Sequence, residues 1–179
     1  PDHLIFDQAI VVFIQHLKPL YLMPQNYLRN KILLELLWWL FTLFIILIIY
    51  FPIYLNGIKF PFFYYNLFFI ISSITFIRLI FQMKFSFMAH NLVLKFLLMF
   101  GSVVVLMLAY RGIGLYNIFN DENGFYSLFE HLSLEKRYTM AAYVNWQYFF
   151  FGVAAMVSAI VMPFRLLISI FRVRNIGAE

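Results

Sequence analysis

Five ionisable side chains stand inside, or at the rims of, stretches that are otherwise almost wholly apolar: Glu35, Arg78, His90, Lys95 and Arg165. A charge held in hydrocarbon is costly, ~2.5–3.5 kcal/mol for Arg, Lys or Asp at a span centre on insertion scales. Such residues therefore face a protein interior and pair, or mark a path for ions, protons or an anionic group. Long cations have a third course, running an apolar stem along lipid while the charge reaches the headgroups. Snorkelling of this kind is the expectation for Arg78 and Arg165, which lie close to span ends. Lys95 has further to reach and Glu35 has a shorter stem, so a Glu35–Lys95 or Glu35–Arg78 ion pair is expected. Its first use would be helix locking; a proton or ion relay is the alternative.

Other chemistry finds little support. A bis-histidine haem needs two histidines on different spans at matching depth, and of His3, His16, His90 and His131 only His90 lies within a span. There is no HExxH and no acidic pair at metal-binding spacing. The chain has no cysteine, which removes disulfides, thiolate metal sites and cysteine nucleophiles. Ser72, Ser73, Ser102, Ser158 and Ser169 do not sit in a GxSxG elbow. With Thr75, Gly101, Gly152, Ala154, Ala155 and Ala159 they read as groups that let helices approach closely. Arg165, Arg172 and Arg174 are separated by seven and then two residues, not by the repeated threes of a voltage sensor. No catalytic, cofactor or metal residue is assigned, and a non-enzymatic role is expected.

The elements that position these residues are legible from hydropathy. A ~30 Å hydrocarbon core needs about 20 helical residues, and four stretches suffice: 32–55, 60–81, 88–110 and 141–171. The first carries a single charge, Glu35. The chain is 64% hydrophobic and 12% charged, about half the charge of ordinary soluble domains. Leu36–Tyr50 lacks the alternation of a barrel strand, so an all-α integral membrane protein with four transmembrane helices is expected. Residues 4–17 are apolar but interrupted by Asp7, Gln8, Gln15 and His16, and predict an N-terminal interfacial helix ended by Pro19, with a basic linker to residue 31. Arg111, Gly112 and Gly114 close the third span. In the loop 111–140, Phe125, Leu128, Phe129 and Leu132 fall at helical spacing and predict a short amphipathic helix over 125–137 on the outer face. Pro1 in place of Met implies processing or a longer parent chain.

Charge sets the expected orientation. Lys and Arg collect on the cytoplasmic side; nine of the 13 cations fall on the side of the termini and four on the other, so both termini are expected inside. An integral protein of a bacterial inner membrane is expected, with an organellar inner membrane as the alternative. Arg29, Lys31, Lys84, Arg172 and Arg174 would meet anionic headgroups; no basic stripe on a soluble domain suggests nucleic acid. The expected role is an accessory or scaffold subunit of a larger membrane complex. The alternatives are a small oligomeric transporter or channel built around the inner charged cluster, and a lipid- or quinone-handling enzyme.

Overall fold

The computed structural model describes residues 25–83 and 92–176, and among these the secondary structure is helical, without strands. The expected interfacial helix over 4–17, with His3 and His16, lies outside the described residues, as do Lys84 and His90. Four helices follow one another: α1 (Gln25–Leu55), α2 (Phe63–Gln82), α3 (Leu92–Asn123) and α4 (Leu134–Ile176), with a 3₁₀ turn at Phe125–Phe129. Each contains a stretch long and apolar enough to cross a membrane.

Helix ends depart from expectation. α1 begins seven residues earlier than the predicted span, so residues 25–31 are helix and not linker. Between α1 and α2 the Asn56-Gly57 turn forms as expected, with Gly57 at φ 61°, a left-handed conformation that glycine takes without penalty. α3 does not stop at Gly112 or Gly114 but runs on to Asn123. Its 32 residues span about 48 Å at ~1.5 Å per residue, well beyond the hydrocarbon thickness. The break comes instead at Gly124, at φ 69°. The predicted amphipathic helix over 125–137 is divided: Phe125–Phe129 is a 3₁₀ turn, and residues 134–137 open α4. Phe129 is fully buried in the main core, with Leu128 and Leu132 packed against it. These side chains cap the bundle and do not form a separate surface helix. α4 continues through Pro163.

Two compact units divide the chain, 1–37 and 38–179. Within the first, α1 residues Ile32, Leu33, Leu36 and Leu37 are exposed, Lys31 is buried and Glu35 is half-buried.

In the second unit α4 is the central helix, packed along α2 on one side and α3 on the other. Burial recurs every seven residues. Buried residues at this spacing are Lys95, Ser102, Ala109 and Tyr116 on α3, Ala141, Tyr148, Ala155 and Met162 on α4, and Phe69 and Phe76 on α2 with Met83 just past its end; Val144 and Leu166 on α4 and Asn66 and Ile70 on α2 are buried beside them. A seven-residue repeat is the signature of helices wound around one another with a left-handed twist. Phe69 is wedged where the three helices meet. A Cβ on Gly112 would lie 2.7 Å from its ring and one on Gly152 3.2 Å from it. Above this point the core is aromatic: Tyr116 and Tyr148 stack at 4.4 Å and 25°, with Phe60, Phe62 and Phe149 edge-on around them. Tyr116 is core, whereas Tyr110 and Tyr138 are exposed. α1 joins this core near its C-terminal end, through buried Ile53 and through Ile49, whose carbonyl accepts from Tyr143 at 3.0 Å.

Candidate functional site

Ring stacking and small residues close the second unit around Phe69 and Tyr148; its polar side chains then decide what the remaining bundle can do. Most are held by the chain itself. Thr42, Ser72, Ser73, Ser102 and Ser158 each donate to a carbonyl three or four residues back on their own helix, the usual way a hydroxyl is satisfied in a transmembrane helix. Tyr148 donates to the Gly112 carbonyl at 2.9 Å and Tyr116 to Asn145 at 2.9 Å. In the first turn of α2, Asn66 Nδ2 donates to Gln147 Oε1 of α4 at 3.0 Å. The other ends of these two amides, Asn66 Oδ1 and Gln147 Nε2, are buried without a hydrogen-bond partner among the described residues. The outer turns are latched in the same manner, with the His131 ring 2.8 Å from the Asn56 carbonyl.

His90 lies outside the described residues, and Glu35 belongs to the first unit. Arg165, expected to snorkel, turns inward: its Nε donates to the Ile80 carbonyl at 2.9 Å. Ile80 is two residues from the end of α2, where carbonyls lack intrahelical partners and the helix dipole is negative. Arg165 thus caps α2 from α4. Arg78, also expected to snorkel, is 8% exposed, and its guanidinium lies 5.8 Å from the centroid of the Trp38 ring, a cation–π distance. Lys95 is fully buried on the inward stripe of α3. Its Nζ has no hydrogen-bond partner among the described residues.

Beside Arg78 the wall of the bundle opens. Near the C-terminal end of α2, a cleft of about 440 Å³ separates it from α1. Trp38 and Phe41 line one side, Ile74, Ile77 and Phe81 the other, with Arg78 and Gln82 as the polar members. Phe41, Ile77 and Phe81 are exposed, so the cleft is open laterally. Sequence reading assigned no role at this site to Trp38 or to Gln147. The available signal for Gln147 was its position as a polar side chain in an otherwise aromatic run, Tyr148–Phe151 following directly. Comparison with known proteins adds no relative: no family model matches the chain, and neither a curated protein nor a solved structure matches it.

Proposed function

We propose that this chain is a small, non-catalytic subunit of a larger assembly in a bacterial inner membrane, with both termini cytoplasmic. The observation that carries this reading is the use of its polar groups. In the second unit, hydroxyls, amides and Arg165 bond to carbonyls and side chains of neighbouring turns and helices, which rigidifies a bundle and leaves little to act on a substrate. The surface is correspondingly apolar. Along α1, Trp39, Leu40, Phe44, Leu47 and Phe51 are exposed, a helix face that lipid or partner helices would cover.

A second reading, a small oligomeric transporter or channel, is favoured by one observation, the buried Lys95 ammonium without a hydrogen-bond partner among the described residues. A cation in that position is what an ion path would use. The path would also have to pass Asn66 and Ser73, both bound to neighbours. Purification in mild detergent and reconstitution alone in liposomes separate the two readings. The subunit reading expects co-purification with a defined membrane protein and no specific flux. Flux through the isolated chain that disappears with Lys95→Ala would replace it with the transporter reading.

A further inference from the structure

We propose that one buried water molecule is bound where Tyr50 of α1 meets α2 and α4, held by Asn66 Oδ1, Gln147 Nε2 and the Tyr50 hydroxyl. The hydrogen bond from Asn66 Nδ2 to Gln147 Oε1 satisfies only half of each amide. Asn66 Oδ1 and Gln147 Nε2 have no hydrogen-bond partner among the described residues. One acceptor and one donor are left over, and turning both amides over exchanges the two roles without removing either. Asn66 is fully buried and Gln147 is 8% exposed. Neither group is open to bulk water, and surrounding hydrocarbon cannot supply what they lack. Because the amides are hydrogen-bonded to each other, one bridging water can serve both unmet ends. Burial limits the ligand to the smallest molecule that donates and accepts at once, and an internal water typically makes about three hydrogen bonds to such groups. The Tyr50 hydroxyl supplies the third. It lies beside the Asn66 side chain and donates to the Phe63 carbonyl at 3.1 Å, which leaves its oxygen able to accept. The water accepts from Gln147 Nε2 and donates to Asn66 Oδ1 and to Tyr50. Its way in is short: Asn66 is three residues from the start of α2, about 4.5 Å along the axis, and so close to the headgroup layer. The proposal is independent of the subunit reading.

The Gln147 side chain itself reads the bound water. The protein is isotopically labelled at the side-chain nitrogens of glutamine and studied by magnetic resonance in detergent micelles, with Gln147→Leu identifying the Gln147 amide signals. In rotating-frame spectra a bound water gives its neighbours a dipolar cross-peak opposite in sign to that of proton exchange. The Gln147 amide is expected to show the dipolar peak. The half-buried Gln82 amide is the reference and is expected to show exchange alone. Tyr50→Phe, which removes one of the water's partners, is expected to weaken the Gln147 peak several-fold; the wild-type spectrum carries the test if that variant does not fold. No peak to water at Gln147, the result expected if the two amides close a second direct hydrogen bond, overturns the proposal. So does exchange without a dipolar peak, the result expected if bulk water reaches the site. A dipolar peak that Tyr50→Phe leaves unchanged overturns it as well.

Discussion

Replacing Gly112 by alanine tests the packing around Phe69 most directly, because α3 supplies its own controls. A Cβ at position 112 would lie 2.7 Å from Phe69 Cζ and 2.7 Å from Tyr65 Cδ1, closer than carbon atoms tolerate. Retreat is blocked on several sides. Phe69 is fully buried, its Cε2 would stand 3.2 Å from a Cβ at Gly152, and its ring centroid is 5.2 Å from that of Tyr148. Tyr148 is in turn tied to the Gly112 carbonyl. Overpacking of such a site costs typically ~1–3 kcal/mol, and a strained Tyr148 hydrogen bond adds up to ~1 kcal/mol. Against this, alanine in a helix gains ~1 kcal/mol over glycine. The net expectation is a loss of up to about 3 kcal/mol. At Gly101 and Gly114, where a Cβ meets nothing within 4 Å, only the gain applies, and Gly101→Ala and Gly114→Ala are expected to be neutral or stabilising by up to ~1 kcal/mol. Unfolding in mixed micelles by titration with a denaturing detergent reads all three. Phe69→Leu added to Gly112→Ala should recover part of the loss by making room. Gly112→Ala as stable as Gly114→Ala, or a double variant worse than the sum of its parts, would refute the three-helix wedge.

Lys95→Met should raise the stability of the isolated chain by about 1–3 kcal/mol, the typical penalty of a buried polar group without a partner; a lower unfolding midpoint in the same detergent titration would mean that the ammonium is paired. Asn66→Leu and Gln147→Leu should each destabilise by about 1–3 kcal/mol by orphaning the other amide, while the double variant falls short of their sum; strict additivity would show that the 3.0 Å contact is not energetically coupled. Arg165→Met should weaken the packing of the α2 C-terminus on α4 and speed amide exchange there, and exchange unchanged near Ile80 would remove the capping role. The proposed cytoplasmic placement of the termini predicts that Ile176→Cys is labelled from the cytoplasm and Asn123→Cys from the opposite side, with no native cysteine to interfere; the reverse pattern inverts the topology.

The spans were legible because their signal is additive. Twenty or so apolar residues outweigh any local irregularity, and even Pro52 and Pro163 do not interrupt α1 and α4. Helix ends were not legible for the opposite reason, since each depends on one or two residues with more than one use. Gly112 and Gly114 read as a stop after Arg111, yet glycine at 112 is required by the rings of Phe69 and Tyr65 from α2, a contact between residues more than 40 positions apart. The Phe125–Leu132 periodicity is real. Which surface it covers was decided by the core below it, where Phe129 is buried with Tyr116 and Val144. A seven-residue spacing of small and polar residues, Ser102 and Ala109 on α3 with Ala141 and Ala155 on α4, was the available signal for how the helices meet.

The charges teach a narrower lesson. Position along a span predicts how far a cation is from water but not which way it faces. Arg78 and Arg165 both lie near helix ends and were equally able to snorkel. One lies over Trp38 and the other caps the carbonyl of Ile80, because aromatic faces and unsatisfied helix termini compete with headgroups for a guanidinium at that depth. Among the described residues the Lys95 ammonium has no hydrogen-bond partner, and Lys95 sits on the same inward register as Ser102, Ala109 and Tyr116. A methionine there would fill similar space without the desolvation penalty. A lysine on that stripe is expected to weaken the isolated bundle unless a counter-charge offsets the cost. An anion brought by a partner helix and an ion in transit both meet that condition. They differ in one observable: a partner's carboxylate would make the Lys95→Met chain more stable alone but poorer at co-purification, whereas an ion path would leave co-purification intact and remove flux.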